Sequence, residues 1–378
     1  MYFKEIVSHE RQCGILSEAI DNGRLAHTYL FCGPDGVGKK LVAVRLAKVL
    51  NCMAENNGPC NTCGICRRIE EGIYPDVKIL KPRGKDRIIN VESVGELQRF
   101  ANQKAYESKI KVIIIDDAHR MRPDASNKLL KTLEEPPAKT VLILITSRPD
   151  MLFATVISRC QAISFNLVPE AEIERYLMDV REVEAGEARV IASLSGGRIS
   201  EAIKLLSDGL AEKRSGYINF MKSLLKGNAA AMFDIVKRLK EQFEEMEKNS
   251  VKMIMKSKKL DYGEFSGNAV DELEDEFKAE AMSMIQAEKE EMFGIWQLWF
   301  RDILITKECG AEVNIINKKD SGEIRLLSEK AEYSGIMDCI CAIDNARKML
   351  RYHADLSMVM EDLFITIMKN FKNREAVI

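Results

Sequence analysis

Apolar and polar positions divide the chain into two regions of different character. Up to about residue 165, short apolar runs alternate with amphipathic stretches such as Lys39–Leu50 and Ala125–Leu133. The runs predict five strands, at Thr28–Cys32, Val77–Leu80, Val112–Ile115, Val141–Ile145 and Ala162–Phe165. Runs without polar alternation are typical of parallel strands that are covered on both faces. Strands separated by helices therefore predict an α/β region built on a doubly wound parallel sheet.

After Pro169 the pattern becomes helical. The segments Glu170–Asp179, Ala188–Leu194 and Arg198–Leu206 predict a short helical unit, and helices dominate from about Ala211. All nine prolines fall at or before Pro169, and proline is rare inside helices. We therefore predict an α/β domain over residues 1–166, a small helical lid over residues 167–208 and an all-helical domain over residues 209–378.

Composition narrows the class of protein. The 378 residues include 58 acidic and 56 basic side chains, a net charge of -2, and 46% are hydrophobic, which excludes a disordered chain. The first ten residues carry charges where a signal peptide needs an apolar core. The apolar runs are strand-sized and too short to span a bilayer. The sequence thus predicts a soluble intracellular protein, cytoplasmic and without a membrane partner.

Charge is unevenly distributed along the chain. Residues 241–291 carry 15 acidic and seven basic side chains, a net charge of -8, so the remaining residues carry +6. Such a run indicates a solvated helical face or a partly flexible insertion, with an acidic contact surface as the alternative.

A phosphate-binding loop follows the first predicted strand. Residues 33–40 have the pattern G-x-x-x-x-G-K in the strand–loop–helix context that this motif needs. Gly33, Gly36 and Gly38 allow the backbone to curl so that its N–H groups face a phosphate, and Lys39 would reach the terminal phosphates of ATP or ADP.

The residues around this loop depart from the hydrolytic pattern. A hydrolytic loop places Ser or Thr after the lysine, where its hydroxyl binds Mg²⁺, but this chain has Lys40. The strand Val112–Ile115 leads into Asp116, which could sit at the metal, and Asp117, which is one methylene shorter than the glutamate usual for orienting water. The pattern predicts an intact fold whose nucleotide site does not hydrolyse, and nucleotide binding without hydrolysis stays open.

Four of the ten cysteines form a cluster. Cys52, Cys60, Cys63 and Cys66 are spaced C-x7-C-x2-C-x2-C, with glycine and proline between them. Four thiolates in this pattern predict a closed structural Zn²⁺ site, with an iron–sulfur cluster as the alternative. The other six cysteines, Cys13, Cys32, Cys160, Cys309, Cys339 and Cys341, are expected to be buried apolar residues.

Together these features resemble the clamp-loader members of the AAA+ superfamily in bacterial DNA polymerase III. The resemblance covers about residues 5–206 and rests on Arg24–Phe31, the phosphate loop, the cysteine module inserted after the first helix, Asp116–His119, Ala125–Pro137 and Ser158–Cys160. Lys40 and Asp117 resemble the delta-prime subunits of that family, whereas ATP-hydrolysing gamma/tau subunits carry Thr or Ser and Glu. The chain also ends at Ile378, without the long tail with which tau proteins bind the polymerase.

The resemblance also implies roles for single residues. Thr146 matches the sensor-1 position, and Arg198 matches the sensor-2 position in the lid. Arg159 matches the arginine finger that reaches the ATP of a neighbouring subunit, and the alternative for it is an ordinary surface or interdomain salt bridge.

The resemblance implies an assembly role. Gamma/tau, delta and delta-prime subunits would form a pentamer, joined by helical collars, that places the sliding clamp on primed DNA. Trp296, Trp299 and Phe300 would belong to the collar or simply to core packing. Two alternatives are a catalytically active gamma/tau-like ATPase and a nucleic-acid-binding module built on the cysteine cluster. The latter has only Arg67 and Arg68 as nearby cations.

Overall fold

The structure, a computed structural model, describes residues 2–54, 58–82, 88–257, 268–310, 315–352 and 354–371. The chain forms two compact units. The first comprises Met1–Val183 and Ser195–Leu205, and the second comprises Glu184–Leu194 and Leu206–Ile378. Residues of the expected lid, 167–208, are thus divided between the two units. The division into three domains stays a prediction.

The first unit contains all the strands among the described residues. They are β1 Thr28–Cys32, β2 Val77–Leu80, β3 Lys111–Ile115, β4 Thr140–Thr146 and β5 Gln161–Ser164. The helices up to residue 207 are α1 Glu10–Asp21, α2 Lys39–Asn51, α3 Gly64–Glu70, α4 Val91–Asn102, α5 Pro123–Glu134, α6 Ala154–Ile157, α7 Glu170–Arg181, α8 Ala185–Ser195 and α9 Ile199–Ser207. Each strand predicted from an apolar run is present, and its ends differ from the prediction by at most one residue.

The five strands form one parallel sheet with the order β2-β3-β4-β1-β5. The first strand therefore lies between two strands that come much later in the chain, with Leu30 level with Leu144 of β4 and Ala162 of β5. The carboxyl ends of parallel strands meet at one edge of a sheet, and ligands bind there in open α/β folds. The loops after β1, β3 and β4 consequently converge at this edge.

Both faces of the sheet are covered. Alternate residues of a strand point to opposite faces, so Phe31 packs with Leu16 of α1 and Leu46 of α2 on one face. On the other face, Leu30 belongs to a second core with Leu129 of α5 and residues of α4. The two cores confirm the predicted parallel α/β sheet with helices on both faces.

The secondary-structure elements described in the second unit are all helices. Beyond α8, its helices are α10 Leu210–Lys226, α11 Ala229–Ser257, α12 Asn268–Cys309, α13 Ser321–Lys330, α14 Tyr333–Arg351 and α15 Leu356–Phe371. Trp296, Trp299 and Phe300 are fully buried in it. The Trp296 indole N–H donates to the carbonyl of Tyr217 at 2.9 Å, and the ring meets Phe364 edge-on. The helical C-terminal region is confirmed, and these aromatic residues pack its core.

The acidic stretch falls on two helices, α11 and α12, and its residues 258–267 lie outside the described part. In α11, Glu241, Glu244 and Glu245 are exposed whereas Phe243 is buried, as in a helix with one solvated face. Glu288 of α12 is instead buried and pairs with Lys213 at 2.6 Å. No described helix is both long enough and apolar enough to cross a bilayer.

One cysteine expectation is wrong in part. Cys13 and Cys339 are buried, and Cys32 and Cys160 are partly buried, as expected of apolar residues. Cys309 and Cys341 are exposed. Cys309 is the last residue of α12 and Cys341 lies on the outer face of α14, so each is a surface residue of an amphipathic helix.

Candidate functional site

The predicted phosphate loop joins β1 to α2 at the carboxyl edge of the sheet. Gly36 and Gly38 adopt positive φ angles of 78° and 105°, which favour glycine, and α2 begins at Lys39. The ring Nε2 of His9 lies 2.8 Å from the carbonyl oxygen of Val37 and fixes the loop from the N-terminal side. The loop therefore has the curled backbone that the G-x-x-x-x-G-K pattern predicts.

Gly33 is the tightest point of the loop. Its φ is 142°, and a Cβ atom there would lie only 2.1 Å from the carbonyl oxygen of Phe165. Its own N–H donates to the carbonyl of Thr146 at 3.2 Å. Only glycine fits at this junction of β1, β4 and β5.

The Lys39 ammonium is folded onto the loop. Its side chain is 5% exposed, and Nζ donates to the carbonyl oxygens of Gly33 at 2.6 Å and Pro34 at 2.5 Å. Burial lowers the pKa of Lys39, while Asp35 and Asp116 oppose that shift. The amine thus stays within the loop that would hold the phosphates.

The Lys40 ammonium occupies the neighbourhood of the expected metal ligand. Its Nζ lies 3.0 Å from Oδ2 of Asp116. Lys81, which follows β2, is close enough that hydrogen bonding and charge from Lys40 lower the pKa of Lys81. Asp116 is therefore paired with the Lys40 ammonium, and Lys81 supplies a second ammonium nearby.

Thr146 and Asp117 flank this ion pair. Thr146 is fully buried, and its hydroxyl oxygen accepts from the N–H of Arg148 at 3.0 Å and lies 3.2 Å from Nδ1 of His119. Burial lowers the pKa of His119, which keeps the imidazole neutral near pH 7. Asp117 adopts a left-handed φ of 53°. The structure thus places Thr146, the expected sensor-1 residue, next to His119. The sequence had indicated His119 only as the last residue of the motif Asp116–His119.

The turn that carries Arg198 packs on the phosphate loop. The N–H of Ser200 donates to the carbonyl of Gly36 at 3.0 Å, and a Cβ on Gly36 would lie 3.2 Å from Cβ of Arg198. Arg198 itself is exposed. The structure therefore places the expected sensor-2 arginine beside the loop, at the start of α9.

A cavity of about 420 Å³ lies over the loop. Its wall has both charged and apolar side chains, and the curled loop with Lys39 is the part of it that can face a phosphate. The lining residues are Glu5, Ile6, Val7, Asp35–Leu41, Asp116, Asp117, Ile145, Tyr176, Ile199, Ser200 and Ile203. The segment 5–7 and the α7 and α9 residues were not identified from the sequence, because they have no motif.

Arg159 lies away from these lining residues, on the turn after α6. Its Nη2 pairs with Oε1 of Glu134 at 2.8 Å, and Nη1 donates to the carbonyl of Thr155 at 3.0 Å. The side chain is 37% exposed. Arg159 is thus a surface arginine within the first unit, held by one exposed carboxylate.

The four clustered cysteines meet at the C-terminal end of α2. The sulfur atoms of Cys52, Cys60, Cys63 and Cys66 all lie within 4.8 Å of one another, and Cys52 Sγ is 3.6 Å from Cys60 Sγ and 4.0 Å from Cys63 Sγ. A tetrahedron with Zn–S distances of about 2.3 Å has S···S edges of about 3.8 Å. The four residues can hold a metal ion.

Backbone N–H groups stabilise the sulfurs. Cys60 donates to Cys52 Sγ at 3.5 Å, Cys63 to Cys60 Sγ at 3.3 Å and Cys66 to Cys63 Sγ at 3.4 Å. The N–H of Cys63, followed by the side chain and N–H of Thr62, lowers the pKa of Cys60 to about 5, whereas burial raises the pKa of Cys66 to about 12. A donor set with N–H groups aimed at its sulfurs is preorganised for a cation.

The part of the chain that carries both sites matches a known family. Residues 8–169 match the family described as DNA polymerase III, delta subunit. The chain is similar to the DNA polymerase III delta-prime subunit of Bacillus subtilis (strain 168), with 36% identity over 222 residues. The match covers 58% of this chain and 66% of that relative.

The tau subunit of the same organism is also similar. It is 34% identical over 215 residues, which cover 55% of this chain and 38% of tau. The chain therefore spans less than two thirds of these relatives. A solved structure, a DNA polymerase III gamma subunit-related protein from Thermotoga maritima, aligns with 96% of this chain and 100% of its own, at 18% identity and a TM-score of 0.41. The resemblance to DNA polymerase III subunits is confirmed, and delta-prime and tau match at similar identity.

Proposed function

We propose that this chain is a delta-prime-like subunit of a DNA polymerase III clamp loader, one that supports ATP hydrolysis at a neighbouring subunit and hydrolyses little itself. The observation that carries the proposal is the 3.0 Å ion pair between Lys40 and Asp116. In hydrolytic loops the hydroxyl after the lysine and the acidic strand end hold Mg²⁺. In this chain Lys40 and Asp116 occupy these two positions, and they bind each other.

The same ion pair argues against the alternative, a gamma/tau-like ATPase. Hydrolysis needs a divalent cation to neutralise charge between the phosphates. A divalent cation could bind Asp116 only if it displaced the Lys40 ammonium, and the nearby Lys81 ammonium would repel it. The cavity with Lys39 retains the elements for binding ATP or ADP, so the proposal includes a nucleotide that is held without turnover.

Lys40→Thr tests this part of the proposal. We expect affinity for a fluorescent ATP analogue to be nearly independent of Mg²⁺ in the natural protein. In the variant, Mg²⁺ should strengthen it by roughly tenfold, about 1.4 kcal/mol, because the hydroxyl and a released Asp116 can then act as ligands. Titrations with Mg²⁺ and with EDTA measure both. Lys40→Arg, which keeps the cation, is the control, and Mg²⁺-stimulated hydrolysis by the natural protein would contradict the proposal.

The proposed support of a neighbour rests on Arg159. A guanidinium delivered from outside stabilises the charge that develops on the transferred phosphoryl group. Arg159 is exposed and its carboxylate partner, Glu134, is 50% exposed, so solvent screens the ion pair. Arg159 can therefore leave Glu134 for a phosphate with little loss of free energy.

Arg159→Ala should lower the ATPase rate of a reconstituted complex of gamma/tau, delta and this delta-prime-like chain. At the ATP site next to Arg159 the rate should fall several-fold or more, and the total rate should fall by the contribution of that site. Isolated gamma/tau should be unaffected. Glu134→Gln is the matched control because it breaks the same ion pair and keeps the arginine, so the rate should be retained. If Glu134→Gln lowers the rate as much as Arg159→Ala, the ion pair is structural and the finger role is wrong.

The cysteine cluster is proposed to hold structural Zn²⁺. All four ligands come from the protein, so the bound ion would be closed to substrate and would fix the chain between α2 and α3. The alternative of a nucleic-acid module has little support, because Arg68 is already paired with Glu107 at 2.6 Å and stacked over Tyr74. Contact with the sliding clamp and primer–template DNA is proposed through the assembled complex, with the helical second unit as the collar.

A further inference from the structure

The cysteine loop makes direct contact with the N-terminal segment. The Asn61 side chain, between Cys60 and Cys63, donates from Nδ2 to Oε1 of Glu5 at 2.7 Å. The second carboxylate oxygen of Glu5 accepts from Nη1 of Arg45 at 2.6 Å. Both oxygens of Glu5 are therefore held, one by the cysteine loop and one by α2.

Arg45 and Asn61 also hold each other. Nη1 of Arg45 donates to Oδ1 of Asn61 at 3.1 Å, and Lys48 Nζ lies 3.3 Å from the same oxygen. The Arg45 side chain is only 8% exposed, and its Nε donates to the carbonyl of Tyr2 at 3.1 Å. The contacts form a closed set between residues 2–5, α2 and the turn of the cysteine loop, which we name the bracket.

The bracket ends at the wall of the cavity over the phosphate loop. Glu5, Ile6 and Val7 line that cavity together with Asp35–Leu41. Glu5 adds a fourth carboxylate to a cavity wall that also contains Asp35, Asp116 and Asp117. Its carboxylate is satisfied by Arg45 and Asn61, and without them it would be free to repel phosphate oxygens.

The backbone of Asn61 ties the bracket to the cysteines. Its φ is 56°, in the left-handed region, where asparagine is tolerated better than most residues. It stands between Cys60 and Cys63, whose sulfur and N–H are hydrogen-bonded to each other. An ion bound to the four sulfurs would hold this turn, and with it the amide that Glu5 needs.

We infer that the cysteine loop positions the 5–7 wall of the cavity, so that metal bound to the four cysteines strengthens nucleotide binding. The inference rests on the proposed metal and nucleotide sites and adds a coupling between them. Such coupling is reciprocal: nucleotide should strengthen metal binding by the same factor. Asn61 is a positioning residue in this scheme, because it touches neither metal nor nucleotide.

The test uses the full-length, zinc-loaded chain and the variant Asn61→Gly. Glycine keeps the left-handed turn and removes only the amide. Glu107→Gln is the matched control, because it breaks another ion pair of the cysteine module, that of Arg68 on α3 and Glu107, without touching Glu5, Arg45, Lys48 or Asn61. Three quantities are measured: zinc content, hydrogen–deuterium exchange of residues 2–9, and affinity for a fluorescent ATP analogue.

We expect Asn61→Gly to retain one zinc per chain, to exchange faster at residues 2–9 and to bind the analogue about fivefold more weakly, as for the loss of one hydrogen bond. Removing zinc from the natural protein should have the same two effects, and Glu107→Gln should have neither. Unchanged exchange and affinity in Asn61→Gly would overturn the inference, as would a natural protein that binds no nucleotide. Neither result would alter the Arg159 experiment, so failure of the coupling is distinguishable from failure of the proposed role.

Discussion

Serine in place of Cys66 should abolish metal binding and destabilise the first unit by about 4 kcal/mol or more, in the range found when a structural metal is lost. Cys66 is fully buried and its N–H donates to Cys63 Sγ, so the variant loses a ligand at the centre of the cluster. A hydroxyl is a poor ligand for a metal that three thiolates select. Elemental analysis and urea denaturation measure the two effects.

Cys341→Ser is the control for this experiment. Cys341 is exposed on α14, outside the cluster, so metal content and stability should be unchanged. Elemental analysis also separates the two interpretations of the cluster, because one zinc per chain supports the closed structural site and iron with inorganic sulfide supports a cluster. A Cys66→Ser protein that keeps its metal would contradict the proposed ligand set.

The second large effect is expected for Gly33→Ala. The added Cβ would lie 2.1 Å from the carbonyl oxygen of Phe165, and both groups belong to backbone that is fixed by the sheet. Relief requires moving β5 away from β1, so we expect a loss of about 3–5 kcal/mol in the free energy of unfolding of the first unit. Nucleotide affinity should fall with it, because the loop is displaced.

Gly14→Ala provides the matched comparison for Gly33. Gly14 lies within α1 and a Cβ there would meet nothing within 4 Å. Alanine is the better helix former, so this variant should be as stable as the natural protein or up to about 1 kcal/mol more stable. Urea denaturation of both variants checks the pair, and a Gly33→Ala protein as stable as Gly14→Ala would show that the junction can relax.

The strands and the chemistry of single segments were predictable from the sequence because their signals are local. An uninterrupted run such as Val112–Ile115 marks a buried strand, and C-x2-C spacing brings sulfurs together within one turn. The absence of proline after Pro169 likewise predicted the helical second unit. The first two signals depend on neighbours only a few residues away, and the third depends on composition alone.

Contacts between distant segments were not predictable in this way. The Lys40–Asp116 ion pair joins a residue of α2 to a residue that follows β3. It forms because of the order of the strands in the sheet, and that order cannot be predicted from any single segment. Position 40 indicated only a missing hydroxyl. The Asn61–Glu5 contact likewise joins two loops, and no spacing rule relates them. Exposure was also mispredicted for Cys309, because composition does not show which face of a helix a residue occupies.

The position of β1 in the sheet has a consequence for how the chain is made. Leu30 pairs with Leu144 and Ala162, so β1 has no strand partner until synthesis has passed Leu144, and only one until it has passed Ala162. At about 5–20 residues per second, the ribosome needs roughly ten seconds to reach them. During that interval the apolar segment Thr28–Cys32 has no sheet to cover it, whereas α2, the cysteine loop and α3 contact one another over a short stretch and can assemble first. Slower translation between residues 33 and 140 would therefore lengthen the interval in which this apolar segment has no strand partner.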